Sequence, residues 1–282
     1  MDEQEREHEL VIRRILIGLD ASRHSMAALR AAAQLAVTLE AQLHGLFVED
    51  ATLLKVSKLP VAREIQFPFA TRAPLSPRRM RRQLRAQAQQ ARKALASISK
   101  EHGVEWSFEV ARGEVSVCML EESTRADLLC LGRASRPLTL RSCLGSTAVA
   151  AASAASRSVL LVSRETEIGP PVVLLYDGSD EGRQALRLSW QLADAMKGLL
   201  SIVVPASVAE SSEQVQEQIT DELDGEELLV RYRELSGSGI RSFINAAHTE
   251  GAGMLVLHRS SVPSEDLEEL LVEVACPVLL VG

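Results

Sequence analysis

ILIGLDASRHSMAALRAAAQLA, residues 15–36, aligns without a gap with VVLLYDGSDEGRQALRLSWQLA, residues 172–193. Each stretch opens with an apolar run and continues with apolar residues spaced three and four apart. The run predicts a buried strand, and the spacing predicts an amphipathic helix. Asp20 and Asp177 occupy the same position, directly after the apolar run. The alignment therefore predicts one strand–helix unit at two places in the chain.

Two further matches follow in the same order in both halves of the chain. ADLLCLGRAS at 126–135 aligns with AGMLVLHRSS at 252–261, and VLLV at 159–162 is repeated at 278–281. Matches that keep their order indicate a duplication of one folding unit. Two copies are too few for a solenoid, which needs at least three repeats.

The chain divides into two predicted domains, 1–165 and 166–282. They meet at SRETEIGPP (163–171), whose Gly-Pro-Pro ending is typical of a linker. The predicted strands of the first domain lie near 14–19, 43–48, 105–111, 127–131 and 158–162, and its helices near 23–39, 77–101, 115–124 and 144–155. The predicted strands of the second lie near 172–176, 199–204, 228–234, 254–258 and 278–281. The alternation favours an α/β fold of two tandem doubly wound domains, each with a mostly parallel five-stranded sheet flanked by helices.

The two copies differ in length at two places. The first carries about thirty extra residues after its second strand, and we interpret 51–77 within them as a Pro-containing loop. The second copy is seven residues shorter between its fourth and fifth strands. The second difference falls where α/β sheets bind ligands, so it predicts different binding properties for the two copies.

The composition argues against several classes of protein. A net charge of −7, a pI of about 5.5 and only 3% aromatic residues argue against nucleic-acid binding. The N-terminal MDEQEREHEL does not resemble a signal peptide, and no apolar run approaches the roughly 18 residues that cross a membrane. We therefore expect a cytoplasmic protein with no membrane insertion. The cysteines lack metal-binding spacing and no catalytic motif is found, so we expect no metal site and no enzyme.

A candidate phosphate-binding loop follows the predicted strand DLLCL. It starts at Gly132 and ends at Gly145-Ser146-Thr147, which opens an Ala-rich helix. The first amides of a helix point outward without partners, and with the helix dipole they favour an anion. Gly145 would let the backbone approach a phosphate, and the two hydroxyls could donate to it. Asp20, at the end of the first strand, could accept from ribose hydroxyls or hold a hydrated Mg²⁺.

At these residues the chain resembles the universal stress protein family, over nearly its whole length and as two domains in tandem. In the nucleotide-binding branch of that family the loop reads Gly, two residues, Gly, nine residues, Gly, then Ser or Thr. This chain keeps the spacing with Gly132, Ser135, Gly145 and Ser146, but the second glycine is replaced by serine. The resemblance implies binding of ATP or a related adenine nucleotide, with Thr147 beside the phosphates.

The resemblance also implies roles for residues outside the loop. The acidic residue that the family places after its first strand matches Asp20, and the position that contacts adenine matches Val48 in LFVED. It further implies a stress-associated regulatory protein that signals through its nucleotide-bound state. Single-domain members pair through their last strands, so we expect VLLV at 159–162 to pair with VLLV at 278–281 as an intramolecular pseudo-dimer. Further homodimerisation stays open.

Several alternatives remain at this stage. Asp20 with Ser22 could simply cap the first helix, and Gly145-Ser146 could be only a turn and an N-cap. The protein could be a nucleotide-free scaffold for an unknown protein partner, or a slow ATPase. The Arg-rich segment RRMRRQLR (78–85) could dock an acidic partner or form a solvated helix face; its counterpart, 209–227, is acidic.

The second copy lacks the features of the loop. His258 stands in place of Gly132, and the helix is opened by VPSEDLEE (262–269), with no Gly-Ser or Gly-Thr. We interpret Ser264 as the N-cap, with Glu265 and Asp266 in the first turn, where they would repel phosphate. The sequence therefore predicts no phosphate site here. The alternative is that the shorter loop leaves another pocket open.

Overall fold

The structure is a computed structural model that describes residues 12–59, 63–66, 71–74, 76–133, 144–163, 167–205, 219, 229–235, 237 and 239–282. Its strands are β1 (Arg14–Gly18), β2 (Gln42–Asp50), β3 (Arg63–Gln66), β4 (Thr71–Pro74), β5 (Trp106–Gly113), β6 (Leu128–Gly132), β7 (Ser158–Val162), β8 (Val172–Leu175), β9 (Leu200–Val204), β10 (Val230–Glu234), β11 (Met254–His258) and β12 (Val278–Val281). Its helices are α1 (Arg23–Thr38), α2 (Ala51–Val56), α3 (Pro77–His102), α4 (Val115–Ser123), α5 (Ser146–Ala154), α6 (Asp180–Ala195), α7 (Ile240–Glu250) and α8 (Ser264–Glu273), with a 3-10 turn at Arg259–Ser261.

Ten of the strands form one sheet in the order β10-β9-β8-β11-β12-β7-β6-β1-β2-β5. Within each half of this ten-stranded sheet every strand pair is parallel, and the two halves repeat the same order of strands. This confirms two tandem doubly wound units with five parallel strands each. The predicted boundary at residue 165 lies in the connection between β7 and β8, of which 164–166 are outside the described residues.

The two halves join through their last strands. β7 and β12 pair antiparallel, with Leu161 opposite Val278, Leu160 opposite Leu279 and Val159 opposite Leu280. The predicted pairing of the two VLLV segments is therefore confirmed. Because each strand covers the open edge of the other, neither edge is available for unwanted pairing with another chain.

Helices cover both faces of the sheet. One core contains buried residues of α1, α3 and α6, and the other contains those of α4, α5, α7 and α8. The central strands are apolar and buried on both faces, as the sequence predicted. Along α3 the buried side chains are Leu84, Ala88, Ala91, Leu95 and Ser99, which form one stripe, and all five arginines of 78–85 lie on the exposed side.

The segment 51–77 was predicted as a loop, and this is wrong for much of its length. Asp50 caps α2 by accepting from the backbone N–H groups of Thr52 and Leu53, and β3 and β4 form a small antiparallel sheet. The sequence signal was weak because α2 is only six residues long and the strands four each. In the part of the chain that the structure describes, none of the helices could cross a membrane.

Candidate functional site

A cavity of about 430 Å³ opens at the carboxyl ends of β1, β2 and β6. The chain leaves β1 toward one face of the sheet and β6 toward the other, so the cavity lies at the point where α/β sheets bind ligands. Five of the seven predicted nucleotide-binding residues line it: Asp20, Val48, Gly132, Ser146 and Thr147. The structure therefore brings together residues that are up to 127 positions apart in the chain.

The turn between β1 and α1 places Asp20 at the cavity. Its Oδ1 accepts from the backbone N–H of Ser22 at 2.9 Å, and Ser22 in turn caps α1 by accepting from the N–H of Ser25 at 3.1 Å. Ala21 adopts the left-handed conformation at φ 60°, where the equivalent residue of the second half is Gly178. Asp20 thus supports the helix cap and still lines the cavity, so the two interpretations of this residue are compatible.

At position 132 the backbone passes so close to the backbone of His24 that only glycine fits. A Cβ atom at this position would lie 2.7 Å from the carbonyl carbon of His24 and 2.8 Å from its oxygen. The end of β6 therefore packs directly against the first turn of α1, and no larger residue fits without a backbone shift. This packing reason was not visible in the sequence.

Gly145 occupies the N-cap position of α5, as the capping interpretation holds. Its φ of −68° is accessible to any residue, and its N–H donates to the carbonyl of Arg133 at 2.7 Å. Gly145 itself is not among the residues that line the cavity, but the next two residues are. The first turn of α5 faces the cavity through Ser146 and Thr147. Among the described residues no side chain caps this helix, so the backbone amides of its first turn have no capping hydrogen bond.

The remaining predicted residue, Ser135, belongs to segment 134–143, which lies outside the described residues. The effect of serine at the second glycine position therefore stays a prediction.

Sequence reasoning missed two carboxylates that also line the cavity. Asp50 ends β2 and Glu114 precedes α4, so with Asp20 three acidic side chains surround the space. Asp50 was within reach of the sequence argument, since it follows Val48 by two residues and so lies on the same side of the strand. Carboxylate oxygens near a phosphate site repel the anion unless a divalent cation lies between them.

A family model of the universal stress protein family matches residues 12–163, which is more than half of the chain. The chain belongs to the universal stress protein family. The match contains β1 to β7 and all the residues that line the cavity. Together with the repeated topology, it makes this protein a tandem, duplicated member.

Solved structures share the fold of this universal stress protein over its whole length. A universal stress protein from Archaeoglobus fulgidus DSM 4304 is 14% identical, with 95% of this chain and 98% of that chain covered and a TM-score of 0.75. A protein of unknown function from Pseudomonas aeruginosa PAO1 is 15% identical, covering 97% and 93%, with a TM-score of 0.65. The cytoplasmic domain of a prokaryotic cation chloride cotransporter is 14% identical, covering 95% of each chain, with a TM-score of 0.55. No curated protein sequence matches this one.

In the second half of this universal stress protein, the residues that correspond to the cavity of the first half bond to one another. Oδ1 of Asp177 accepts from the hydroxyl of Ser179 at 2.6 Å, and Oδ2 accepts from the hydroxyl of Ser261 at 2.6 Å. His258 is in contact with Ser260, with 2.7 Å between Nδ1 and Oγ. Both carboxylate oxygens of Asp177 thus accept hydrogen bonds from the protein. In Asp20, by contrast, Oδ1 is the oxygen that has a partner among the described residues.

A separate cavity of about 500 Å³ lies beside these residues, lined mostly by apolar side chains such as Leu235, Ile240 and Phe243. The shorter loop does leave another pocket open, as the alternative held. Asp266 lines it from the first turn of α8, which also carries Glu265, as predicted. The predicted N-cap is wrong: the helix begins at Ser264, and Pro263 occupies the N-cap position. Proline at this position fixes the chain by its ring rather than by a side-chain hydrogen bond.

Replacing Ser261 by Ala is expected to lower the free energy of unfolding by about 1 kcal/mol at pH 7, the value of one hydrogen bond to a half-exposed carboxylate. Partial burial opposes ionisation of Asp177, but hydrogen bonds from Ser179 and Ser261 outweigh it and hold its pKa below the ordinary value. A lowered pKa contributes stability above the unfolded pKa, and this is lost as the pH falls through the folded pKa. Urea unfolding at pH 7 and at pH 3 should therefore show a smaller difference between variant and parent at pH 3. An equal difference at both values would contradict this role for Ser261.

Two arginines connect the halves in a symmetric way that the sequence analysis did not detect. Arg133, after β6, donates to the carbonyl of Leu271 at 3.0 Å and to those of Val274 and Cys276, all in the second half. Arg259 holds the equivalent position after β11 and donates to the carbonyls of Ala155 and Arg157 in the first half. Burial lowers the pKa of Arg133 to about 10, so the side chain stays charged at neutral pH. Each half therefore anchors the connection between the last helix and last strand of the other.

Proposed function

We propose that this protein is a cytoplasmic, stress-associated regulatory protein that binds ATP or a related adenine nucleotide, with Mg²⁺, in its first half. The observation that carries the proposal is the cavity at the carboxyl ends of β1, β2 and β6, which is lined by five of the residues predicted from the sequence. Its volume of about 430 Å³ lies in the range of small-molecule sites, roughly 300–1,000 Å³.

The arrangement of the lining suits a nucleotide in one orientation. Val48 lies near the end of β2, toward the edge of the sheet, where an adenine could meet the backbone. Ser146 and Thr147 lie in the first turn of α5, where outward amides and two hydroxyls suit phosphate oxygens. The family spacing that runs from Gly132 to Ser146 supports the same orientation. The base and the phosphates would therefore occupy opposite ends of the cavity.

The charges of the cavity make Mg²⁺ part of the proposal. Asp20, Asp50 and Glu114 line the space, and the described residues that line it include no Lys, Arg or His. Every charged side chain that a triphosphate would meet among these described residues is therefore negative. Mg²⁺ is typically held by one or two carboxylates together with substrate phosphates. We infer that binding depends on Mg²⁺, with Asp20 and Asp50 as the nearest candidates to contact its hydration shell.

The same lining favours binding over hydrolysis. Phosphoryl transfer needs cationic side chains or metal on the transferred group and a residue that positions the attacking water. Mg²⁺ would supply part of this charge, but the described part of the lining offers hydroxyls and carboxylates and no Lys, Arg or His to add to it. The proposed role is therefore that of a nucleotide-controlled regulator rather than an enzyme.

Isothermal titration with Mg-ATP is expected to give at most one nucleotide per chain, because the second half engages both oxygens of Asp177 and carries Glu265 and Asp266 in the first turn of α8. The titration is repeated with EDTA in place of Mg²⁺, where the affinity should fall. Mass spectrometry of the denatured, freshly purified protein provides an independent readout of co-purified nucleotide. A stoichiometry of two would contradict the assignment to the first half, and no binding at millimolar Mg-ATP would overturn the proposed function.

A nucleotide-free scaffold is the second candidate. It is favoured by the exposed arginines at the start of α3, which are Arg78, Arg79, Arg81, Arg82 and Arg85. Such a face suits an acidic protein surface or a second copy of the chain. The acidic segment 209–227 could meet it, but apart from Ile219 that segment lies outside the described residues. If nucleotide binding is absent, this interaction becomes the function to test.

A further inference from the structure

One histidine and two glutamates converge in the first half, away from the nucleotide cavity. His44 on β2, Glu109 on β5 and Glu122 on α4 each offer a ligand atom, and these three atoms lie within 4.8 Å of one another. His44 Nε2 is 4.0 Å from Glu109 Oε2 and 3.9 Å from Glu122 Oε1. One imidazole nitrogen and two carboxylates form a donor set that binds first-row divalent metals.

The two nitrogens of His44 have different environments. Nδ1 lies 2.8 Å from the hydroxyl oxygen of Ser107, whereas Nε2 is buried and has no hydrogen-bond partner in the described part of the chain. When Nδ1–H donates to Ser107, the lone pair of Nε2 points to the two glutamates. A metal-binding histidine typically donates its other ring N–H to a hydroxyl, carbonyl or carboxylate in this way.

The fold itself positions these groups. His44 pairs directly with Ser107 across β2 and β5, and Glu109 follows on the same face of β5. Glu122 lies in the last turn of α4, which packs over that face of the sheet. The cluster thus takes one residue from each of three separate elements, and no local spacing in the sequence indicates it.

The second half provides an internal comparison. By the sequence repeat, Ser201 corresponds to His44, and the strand register places Arg231 opposite it with Arg233 two residues further on. There both arginines donate to Glu250, at 3.0 and 2.6 Å, and the Glu250 side chain is only 3% exposed. At the equivalent place the second half therefore balances one carboxylate with two cations of its own. The first half has two carboxylates and a histidine.

Only one arginine reaches the cluster of the first half among the described residues. Arg125 donates to Glu122 Oε2 at 3.1 Å, while Oε1 faces His44. Its side chain is 71% exposed, so it holds the outer oxygen and leaves the inner one facing the histidine. The interior of the cluster lacks the positive charge that Arg231 and Arg233 supply in the other half.

From this contrast we propose that His44, Glu109 and Glu122 form a binding site for a divalent transition metal, with Zn²⁺ as the expected ion. Ligand atoms of a tetrahedral zinc site lie about 3.3 Å apart at metal–ligand distances of about 2.0–2.1 Å. The distances of 3.9 and 4.0 Å from His44 Nε2 to the two carboxylate oxygens can shorten to that value by small side-chain rotations, which the half-exposed Glu109 can make. Three protein ligands leave the fourth position to water.

A bound metal would link β2, β5 and α4 at the edge of the sheet. β5 is an edge strand and α4 ends at the cluster, while the other end of α4 lines the nucleotide cavity. His44 precedes Val48 by four residues, about 13 Å along a strand, so the two sites are separate. The proposal is therefore independent of nucleotide binding, and its test contains no nucleotide.

Isothermal titration of the full chain with ZnCl₂, without nucleotide or phosphate, tests the site. The parent should bind one zinc that His44→Ala and Glu122→Gln each weaken at least about tenfold, and zinc should raise the Tm of the parent more than that of either ligand variant. Glu121→Gln is the matched control, because Glu121 is the exposed neighbour of Glu122 on α4, and it should bind as the parent does. Ser107→Ala should weaken zinc by about tenfold while leaving the three ligands in place.

Folding defects are separated from lost ligands by Glu109→Gln, since the Glu109 side chain is 55% exposed and its replacement leaves the core unchanged. Circular dichroism of each metal-free variant is compared with that of the parent. If the parent binds no zinc below about 100 μM, or if the ligand variants bind it as the parent and Glu121→Gln do, the site is not where we place it.

Discussion

Replacing Arg133 by Met is expected to lower the free energy of unfolding by about 3 kcal/mol, because a buried carbonyl left without its donor costs about 1–3 kcal/mol. Arg133 is 6% exposed, and its guanidinium donates to three carbonyls of the second half. Met fills much of the same space but donates no hydrogen bond, so the buried carbonyls of Leu271 and Val274 and the partly buried one of Cys276 would lose their donor. The loss of stability is large because water does not replace the lost hydrogen bonds of the buried carbonyls.

Urea unfolding followed by circular dichroism measures this effect. Arg30→Met is the control, because Arg30 is exposed on α1, and it should change stability by no more than about 0.5 kcal/mol. Arg259→Met should cost less than Arg133→Met, because Arg259 is only half-buried. If Arg133→Met and Arg30→Met unfold at the same urea concentration, the arginine does not hold the halves together.

Arg133 also connects the two parts of the molecule through its backbone. Its N–H donates to the carbonyl of Val162 in β7, and its carbonyl accepts from Gly145 at the start of α5. Its side chain enters the second half at the connection between α8 and β12. One residue therefore fixes both ends of the candidate phosphate loop and the junction of the halves. A rearrangement of that loop on nucleotide binding would act directly on the interface between the two halves.

The fold was largely predictable because it depends on local patterns. The apolar run of β6 and the Ala-rich stripe of α1 specify a buried strand and a helix without reference to the rest of the chain. The pairing of the two VLLV segments was predicted from the resemblance to a family whose single-domain members pair through their last strands, and it also covers both edges. By contrast, α2 and the β3–β4 pair were missed because they are too short to show a period.

The parts of the site that were missed depend on distant residues. The hydrogen bonds of Arg133 end on carbonyls, which carry no side-chain signal, 138 to 143 positions away. Gly132 is needed because the backbone of His24 lies against it, which no spacing reveals. The His44 cluster needs the register of two strands and the position of a helix at once. Asp20 and Ser146 were found because each stands at the boundary of a recognisable element, whereas Val48 was found only through the resemblance to the family.

Replacing Gly145 by Asp is expected to weaken Mg-ATP at least tenfold, about 1.4 kcal/mol, while the fold survives. The φ of −68° at Gly145 suits an aspartate, and Asp is a better N-cap than Gly, so α5 should keep or gain stability. The new carboxylate would accept from the first amides of α5, which the phosphates are proposed to occupy, and would add a fourth negative charge beside Asp20, Asp50 and Glu114. Binding and stability should therefore change in opposite directions.

Titration calorimetry and thermal unfolding of the same samples measure both quantities. Ser153→Asp is the matched control: it adds the same charge to the exposed side of the last turn of α5, at the far end of a nine-residue helix, about 10 Å from its first turn. It should leave the affinity within about twofold of the parent, because charges a Debye length apart are largely screened at physiological salt. Equal affinities for Gly145→Asp and Ser153→Asp would mean that the phosphates do not lie at the N-terminus of α5. If the Gly145→Asp protein instead unfolds at a lower temperature than the parent, the glycine is needed for the fold, through the hydrogen bond of its N–H to the carbonyl of Arg133. The loss of affinity would then not locate the phosphates.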